Sequence, residues 1–334
     1  MITPVAFFLA EEPDLAALEG LDPDSHWREF QRGERNWVLQ TYFRLRGAGL
    51  PVRLDGEAPP GGPVVFHARH KHALYRARHR LTDAVLVGVR GDLHDPLIAD
   101  VQVLQSGRFA DGSSRFFIPH WPQPGLMPRD PSRGTAIRRA AYKGFDRNLH
   151  PGFRTPEWLE FLGASGIDWV CDSVAYQDHD PANAMTDWPD YRAVDVLIAV
   201  RPPDRRLHVA KPATKLVNAW LAGVPAILGE EFAYRELRRS PLDYIEAASL
   251  DDVRCAVRRL CDEPALYQAM ADHGRRRAQE FSISAITERW RELLFEILPV
   301  LEREPVFRRR RRLSLPARRA LGRLQQLLGR RRSR

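Results

Sequence analysis

The sequence contains no run of eighteen apolar residues, which is the length that a membrane-spanning helix needs. Its first residues also lack the basic segment and apolar stretch of a secretory signal peptide. The only cysteines are Cys171, Cys255 and Cys261, and their spacing fits neither a metal site nor a redox motif. We therefore expect a soluble cytoplasmic protein in which the cysteines are buried apolar filler.

Acidic residues are absent after Glu304, whereas residues 306–334 contain twelve arginines. Without those arginines the net charge of +8 disappears, because residues 1–305 have 39 basic and 43 acidic side chains. Apolar residues of the same segment can line one side of a helix: Leu313, Ala317, Ala320, Leu321, Leu324, Leu327 and Leu328. This composition predicts a basic amphipathic tail on an anionic membrane surface, as in a peripheral membrane protein. A disordered solvated tail or a non-specific nucleic-acid binder is the alternative interpretation.

The length of 334 residues and the hydrophobic content of 44% are sufficient for two domains. Short apolar runs predict strands over 5–9, 51–54, 64–67 and 84–89, and a long amphipathic helix is predicted over 27–47. Strands that alternate with helices are typical of a parallel α/β fold. The polar, turn-rich residues 127–134 are the best linker candidate.

Residues 211–228 predict a helix, a tight stop and a buried strand. Pro212 suits the first helical position, and Gly223 with Pro225 supplies the stop. Lys211 and Lys215 lie at the helix start, where the macrodipole disfavours a cation by roughly 0.3–1 kcal/mol. A bound phosphate or diphosphate would make the lysines favourable at this position, because it would accept from the first-turn N–H groups and from both ammonium groups. The alternative is that both lysines extend into solvent.

The run Lys215-Leu-Val-Asn-Ala-Trp-Leu-Ala-Gly-Val-Pro-Ala-Ile resembles the donor-binding helix of GT-B glycosyltransferases, which has the pattern K-L-x-E-x-x-A-x-G-x-P-x-I. Asn218 stands where the retaining families have a ribose-binding glutamate, and Ala210 stands where their upstream acidic residue falls. An amide can still bond to a ribose hydroxyl. The runs 33–37 and 45–52 are similar to the opening of the same enzymes.

The resemblance implies an α/β fold of two Rossmann-like domains of the GT-B type, with an inter-domain cleft and a basic C-terminal tail. The predicted parts are an N-terminal acceptor-side domain over 1–130, a nucleotide-sugar-binding domain over 135–283, a closing helix over 284–304 and a basic amphipathic tail over 305–334. By the same resemblance, Lys143, Gly144 and Arg147 occupy the loop that contacts the donor diphosphate.

Ligands of open parallel sheets bind beyond the carboxyl ends of the strands. Arg201 follows one predicted strand of the second domain, and His67 and Asp92 follow two strands of the first. His120 lies in a proline-framed loop, which makes it the first candidate for the general base that a transfer with inversion at the anomeric carbon requires, ahead of His67 and Asp92. His94 is a weaker candidate at the same edge. A solvated loop residue is the alternative role for each.

These features predict a hexosyltransferase-like glycosyltransferase that moves a sugar from a nucleotide-sugar donor to an unidentified glycan or lipid-linked acceptor. No Asp-x-Asp motif occurs in a plausible donor loop, so we expect neither a metal nor any cofactor besides the nucleotide-sugar co-substrate. The alternative is a non-catalytic GT-B-like protein that binds a glycan or a nucleotide, which the missing carboxylates at 210 and 218 favour. A nucleic-acid partner for the arginine tail is the weakest interpretation.

Overall fold

A computed structural model describes residues 3–10, 12, 14–31, 33–93, 95–174, 187–202 and 211–332, without the side chains of 325–332. The chain forms two compact units. The first unit consists of Met1–Pro23, Glu29–Pro119 and Ile283–Arg334, and the second of Asp24–Arg28 and His120–Ser282. His94 and Ala210 lie outside the described residues.

The first unit contains a six-stranded parallel sheet in the order β2-β1-β3-β4-β5-β6. Its strands are β1 (Val5–Phe8), β2 (Val52–Asp55), β3 (Gly61–His67), β4 (Asp83–Val89), β5 (Val101–Leu104) and β6 (Arg115–Phe117). Every residue of β1 and β5 is buried, as expected for strands of a parallel sheet that is covered on both faces. The predicted parallel α/β class is therefore confirmed in this unit, although among the described residues no helix separates β2 from β3 or β4 from β5.

The helix predicted over 27–47 is interrupted in the structure. A 3₁₀ turn at Trp27–Phe30 and a π-helical turn at Arg35–Leu39 precede α1 (Gln40–Gly47), and α2 (Lys71–Arg76) lies between β3 and β4. Gly33 has a φ of 56°, which an uninterrupted right-handed helix cannot contain. The sequence pattern predicted the helical content but not this break.

The second unit contains a five-stranded parallel sheet in the order β11-β10-β9-β7-β8. Its strands are β7 (Arg139–Phe145), β8 (Asp168–Val174), β9 (Val196–Ala199), β10 (Ala226–Leu228) and β11 (Ile245–Glu246). Its helices are α3 (Pro156–Ala164), α4 (Thr214–Ala222), α5 (Phe232–Leu237), α6 (Leu250–Asp262) and α7 (Pro264–Ala278). Both units thus have the Rossmann-like construction that was expected.

The stretch predicted as a linker belongs to the second unit. Arg129 and Arg133 both donate to the carboxylate of Asp195, which is fully buried just before β9. The same carboxylate accepts from the backbone N–H groups of Arg138 and Arg139 at the start of β7. These bonds fasten residues 127–134 to the sheet.

Helix α4 begins at Thr214 rather than at Pro212. Ala213 is the N-cap residue, with a φ of −77° and a ψ of 30°, and it offers no side-chain acceptor to the first-turn N–H groups. Gly223 ends the helix in the left-handed conformation at a φ of 69°, as its position in the sequence predicted. The helix therefore has a normal glycine stop but no side-chain cap at its start.

Four helices follow the second unit and pack with the first: α8 (Ile283–Arg291), α9 (Leu298–Arg303), α10 (Pro305–Arg311) and α11 (Leu315–Arg332). The predicted basic amphipathic tail over 305–334 is in contact with the first unit over its first part. Phe307, Leu315 and Arg318 are buried, and Arg318 donates to Asp100, which directly precedes β5 of the first sheet. The side chains of Leu327, Leu328 and Arg330 lie outside the described residues.

The prediction of buried cysteines is wrong for two of the three. Cys255 and Cys261 are exposed on α6, and Cys171 is half-buried in β8. The buried stripe of α6 contains Val253, Val257 and Leu260. The helical period turns both cysteines away from that stripe.

Candidate active site

The strand order of the second sheet reverses between β7 and β9, because β8 lies beyond β7 and β10 lies beyond β9. Such a switch point opens a crevice at the carboxyl ends of the two central strands, where open α/β sheets bind their ligands. Gly144 lies at the end of β7, and Arg201 follows β9 by two residues. Lys215 lies in the first turn of α4, and Glu231 follows β10. The four residues define what we call the switch-point cluster.

Gly144 and Lys215 are in close contact. A β-carbon built on Gly144 would lie 2.7 Å from the Lys215 Nζ and 2.9 Å from the Tyr142 hydroxyl oxygen. The φ of Gly144 is 151°, a conformation that L-residues rarely adopt. Glycine at this position therefore lets the ammonium group lie against the backbone at the end of β7.

Arg201 and Glu231 form a buried ion pair beside Lys215. The Arg201 Nε donates to the Glu231 Oε1 at 2.7 Å, and the side chains are 11% and 4% exposed. Burial alone would lower the pKa of Arg201, but the Glu231 carboxylate outweighs it, so the pKa is raised. Among the described residues, the Arg201 Nη1 and the Glu231 Oε2 have no hydrogen-bond partner. The cluster therefore has a donor available for an anionic ligand.

The pKa of Lys215 is lowered to about 7, mainly by burial and also by the neighbouring Arg201 guanidinium, while the Glu231 carboxylate opposes the change. The Nζ also lies 5.3 Å from the centre of the Tyr142 ring. Only four of the 51 basic residues of the chain are lysines, and two of them are Lys211 and Lys215. A buried ammonium next to a guanidinium is unfavourable until an anion joins them.

Lys143 does not face this cluster. Its Nζ donates to the Asp172 Oδ2 at 2.5 Å and to the backbone oxygen of Asp187 at 2.8 Å, and the side chain is buried. The predicted diphosphate contact would require Lys143 to leave both partners. Arg147 is exposed just after β7, and Lys211 is half-buried before α4.

Asn218 is also engaged within the protein. Its side-chain oxygen accepts from the backbone N–H of Gln123 at 3.1 Å, and the residue is 6% exposed. The amide predicted to hold a ribose therefore fastens the 120–125 loop to α4 in this structure. That bond joins residues 95 positions apart in the chain.

At the corresponding edge of the first sheet, two aromatic rings are stacked. His67 ends β3 and stacks on Trp37, with ring centres 6.5 Å apart and an angle of 10° between the planes. A β-carbon on Gly91, where φ is 59°, would lie 3.1 Å from the His67 Nε2. Burial lowers the pKa of His67 to about 4, with partial opposition from the Glu34 carboxylate, so the ring is neutral at pH 7.

The three candidate general bases differ in exposure. His67 is 3% exposed and His120 is 9% exposed, whereas Asp92 is exposed three residues after β4. The His120 Nδ1 lies 2.6 Å from the backbone oxygen of Trp121. His120 is moreover the first residue of the long segment of the second unit, although it was expected in the first domain.

Three neighbours of these sites were not among the predicted site residues: Glu231, Tyr142 and Trp37. Glu231 follows a predicted strand, so the rule that selected Arg201 also applies to it. Tyr142 and Trp37 look like ordinary core aromatics in the sequence, and only the structure brings them beside Lys215 and His67.

Within the described residues, no helix combines the length and apolarity that a membrane crossing requires. In the same part of the chain, no three side chains of His, Cys, Asp or Glu come together in a way that could hold a metal ion. The absence of a metal from the reaction therefore stays a prediction.

Comparisons with protein-family models and with curated proteins found no match. Among solved structures, sucrose-phosphate synthase from Thermosynechococcus elongatus is similar over 90% of this chain and 100% of its own, with a TM-score of 0.56 and 13% identity. HepE from Anabaena, solved in complex with UDP and glucose, is similar over 88% and 99%, with a TM-score of 0.53 and 13% identity. TarM has a TM-score of 0.51 and 8% identity over 70% of this chain, which spans 55% of TarM.

The fold is of the GT-B type. Two parallel-sheet units and the agreement in fold with these neighbours confirm the predicted fold class. At 8–13% identity the likeness extends to the fold alone.

Proposed function

We propose that this chain is a glycosyltransferase that binds a nucleotide-sugar donor at the switch-point cluster. The observation that supports this most strongly is the half-buried Lys215 beside the Arg201–Glu231 ion pair, at the start of α4, whose N-cap residue supplies no side-chain acceptor. A diphosphate would pair with Lys215, accept from the unpartnered Arg201 Nη1 and accept from the first-turn N–H groups. HepE, which shares the fold, was solved with UDP-glucose.

The chemistry is displacement at the anomeric carbon of the donor sugar. The acceptor hydroxyl oxygen forms a bond to that carbon and gives its proton to a base, while the bond from the carbon to the diphosphate oxygen breaks and the nucleoside diphosphate leaves with the electron pair. Negative charge therefore grows on the leaving group in the transition state. Lys215, Arg201 and the N-terminus of α4 are fixed in place before the reaction, which is how preorganised donors stabilise developing charge.

We propose that the transfer is metal-independent, because these cations supply the positive charge that a divalent ion supplies elsewhere. Turnover should persist after dialysis against a chelator, and added Mg²⁺ or Mn²⁺ should not increase it. Loss of turnover on chelation, with recovery on adding either ion, would contradict this part of the proposal.

For the acceptor, we propose a neutral hydroxyl group of a glycan or lipid-linked compound at the edge of the first sheet. The half-buried ring of Trp37, which stacks on the neutral ring of His67, offers an aromatic face suited to a sugar. Asp92 is the best candidate for the general base, because a base must contact the acceptor hydroxyl and Asp92 is exposed where both histidines are buried. This choice replaces the order His120, His67, Asp92 that the sequence suggested.

The test is a donor screen followed by titration. Thermal shifts with UDP-glucose, UDP-N-acetylglucosamine, GDP-mannose and ADP-glucose select the nucleotide, and calorimetry then measures its affinity for the parent, Lys215→Met and Lys71→Met. Lys71 lies on α2 of the first unit and serves as the matched lysine control. We expect binding by the parent and the control and a large loss in Lys215→Met.

Release of nucleoside diphosphate from the selected donor separates an enzyme from a binding protein. We expect slow release by hydrolysis when no acceptor is present. Release should become faster when a suitable glycan accepts the sugar. Tight binding with no turnover across an acceptor panel would favour the non-catalytic alternative. Failure of every nucleotide to bind would overturn the proposed function.

A further inference from the structure

The helices α10 and α11 are fastened to the first unit by arginines. Arg318 Nη1 donates to both carboxylate oxygens of Asp100 at 2.9 Å, and Asp100 is 2% exposed. Arg311 Nη2 donates to the Asp83 carboxylate at 2.7 Å, and Arg310 Nη2 donates to the backbone oxygen of Ala99 at 2.8 Å. These contacts fix which side of each helix faces the protein.

The opposite side of α10, of the turn that follows it and of α11 is exposed. Its members are Val306, Arg308, Arg309, Arg312, Leu313, Arg323 and Leu324, which we call the outer arginine face. Val306 is 78% exposed, Leu313 is 40% exposed and Leu324 is 53% exposed. They are three of the seven exposed large hydrophobic residues among the described residues.

The charge of this face is not neutralised within the protein. In the part of the chain that the structure describes, Arg308, Arg309, Arg312 and Arg323 form no ion pair with an acidic side chain. The chain has no acidic residue beyond Glu304, so none is available from the remainder of the tail. Elsewhere the arginines of the chain are commonly paired, as Arg277 is with Asp243 and Arg235 is with Glu246.

We propose that the outer arginine face binds the surface of an anionic phospholipid membrane. The arginines complement lipid phosphates, and the apolar side chains between them can enter the boundary between headgroups and acyl chains. A nucleic acid would use the arginines but would give Val306, Leu313 and Leu324 no apolar environment. Exposed apolar residues that alternate with unpaired cations are the combination that favours a membrane surface over a soluble polyanion.

This surface differs from the free tail helix that composition alone suggests. Arg318, Arg311 and Arg310 bind the protein, so they are unavailable to lipid. The membrane contact is instead a fixed face whose orientation is set by the first sheet. The inference does not depend on the donor site, because no residue of the switch-point cluster belongs to this face.

The test is co-sedimentation with vesicles of phosphatidylcholine alone and of phosphatidylcholine mixed with phosphatidylglycerol. The charge variant combines Arg308→Ser, Arg309→Ser and Arg312→Ser. Its control combines Arg258→Ser, Arg259→Ser and Arg276→Ser, which removes the same charge from exposed sites of the second unit. An apolar variant combines Val306→Ser, Leu313→Ser and Leu324→Ser. Removal of residues 306–334 is avoided, because it would leave the buried Asp100 without Arg318.

The parent and the control should sediment with the anionic vesicles and not with the neutral ones. Each arginine near an anionic surface changes partitioning by about fivefold, so the charge variant should bind at least tenfold more weakly even after discounting for salt. The apolar variant should also bind more weakly at every salt concentration. Thermal unfolding and donor binding should be unchanged in both variants.

Three results would overturn the proposal. They are equal sedimentation of the charge variant and its control, equal sedimentation of the apolar variant and the parent, and retention of the parent by duplex DNA or RNA but not by anionic vesicles at the same salt concentration. Because donor binding is measured separately, none of these results bears on the proposed glycosyltransferase activity.

Discussion

The two units have the same architectural plan but very different carboxyl edges. At the switch point of the second sheet, the half-buried Lys215 lies beside the Arg201–Glu231 ion pair. At the edge of the first sheet, the neutral ring of His67 lies on Trp37. A parallel sheet with a strand-order reversal therefore provides a location for a ligand, and the side chains at the strand ends decide its charge. This contrast is the basis of our proposal that the second unit binds an anionic substrate and the first unit a neutral one.

The largest effect is expected from Asp92→Asn. Loss of a general base should lower kcat by about 100-fold to 10,000-fold, while the affinity for the donor stays unchanged. Steady-state kinetics with donor and acceptor varied separately would measure this. Glu57→Gln, an exposed carboxylate of the same unit that pairs with Arg80, is the control. Full activity of Asp92→Asn would show that Asp92 is not the general base. It would also remove the reason for placing the acceptor in the first unit.

Lys215→Met should weaken donor binding about 10-fold to 100-fold, because a charge-assisted hydrogen bond is worth about 1.5–3 kcal/mol. The same variant should unfold at a higher temperature than the parent when no ligand is present, since a buried ammonium next to Arg201 is lost. Calorimetry and thermal unfolding test the two effects together. If stability and affinity fell together, Lys215 would be a structural residue rather than a ligand-binding one.

The pH dependence of stability should separate the two edges. The folded pKa of His67, about 4, is below the ordinary 6.5, so this group lowers stability as pH falls from 6.5 to 4, by about 3 kcal/mol in full. The folded pKa of Lys215, about 7, is below 10.5, so its contribution to stability rises with pH between about 7 and 10.5.

Melting curves across pH for the parent, His67→Gln and Lys215→Met would resolve these two windows by difference. His67→Gln should flatten only the acidic window, and Lys215→Met only the alkaline one. With saturating nucleotide-sugar, the stability of the parent should rise less between pH 7 and 10.5, because a bound diphosphate raises the pKa of Lys215. If the ligand left the pH dependence of the unfolding temperature above pH 7 unchanged, Lys215 would not belong to the donor site.

The smallest effects should come from a matched pair of glycine substitutions. In Gly144→Ala the new β-carbon displaces the Lys215 ammonium, so donor affinity should fall several-fold. In Gly91→Ala it meets His67 and Trp37, so the KM for the acceptor should rise while donor affinity stays the same. Both positions have a positive φ, so a stability loss of about 1–2 kcal/mol is expected in each. Identical kinetic effects would mean that the two edges do not serve separate substrates.

Much of the fold could be predicted because its signals are local. Buried parallel strands are continuous apolar runs, and the stop after α4 follows from Gly223 and Pro225. Positions at strand ends were predictable for the same reason, which is how Arg201, His67 and Asp92 were selected. The break at Gly33 was not predictable, because an amphipathic pattern continues through it.

The partners of the site residues could not be predicted, because they are remote in the chain. Lys143 pairs with Asp172 across 29 residues, and Asn218 accepts from Gln123 across 95. A composition that suits a ribose or a diphosphate equally suits such internal bonds. The contact of α11 with the first unit could not be predicted for the same reason. In the sequence, Asp100 looks like an ordinary loop aspartate, and only the structure shows that it is buried and paired with Arg318.

The bond between Arg318 and Asp100 also bears on how the protein is made. The two residues are separated by 218 positions, and the whole segment His120–Ser282 is synthesised between them. The whole second unit therefore leaves the ribosome before Arg318 is available to pair with the buried Asp100 of the first unit. The unit that begins the chain is completed last, so its sheet must wait, partly exposed, while its neighbour folds. Chaperones that act on this nascent chain should engage residues 1–119 and release them only after α11 has emerged.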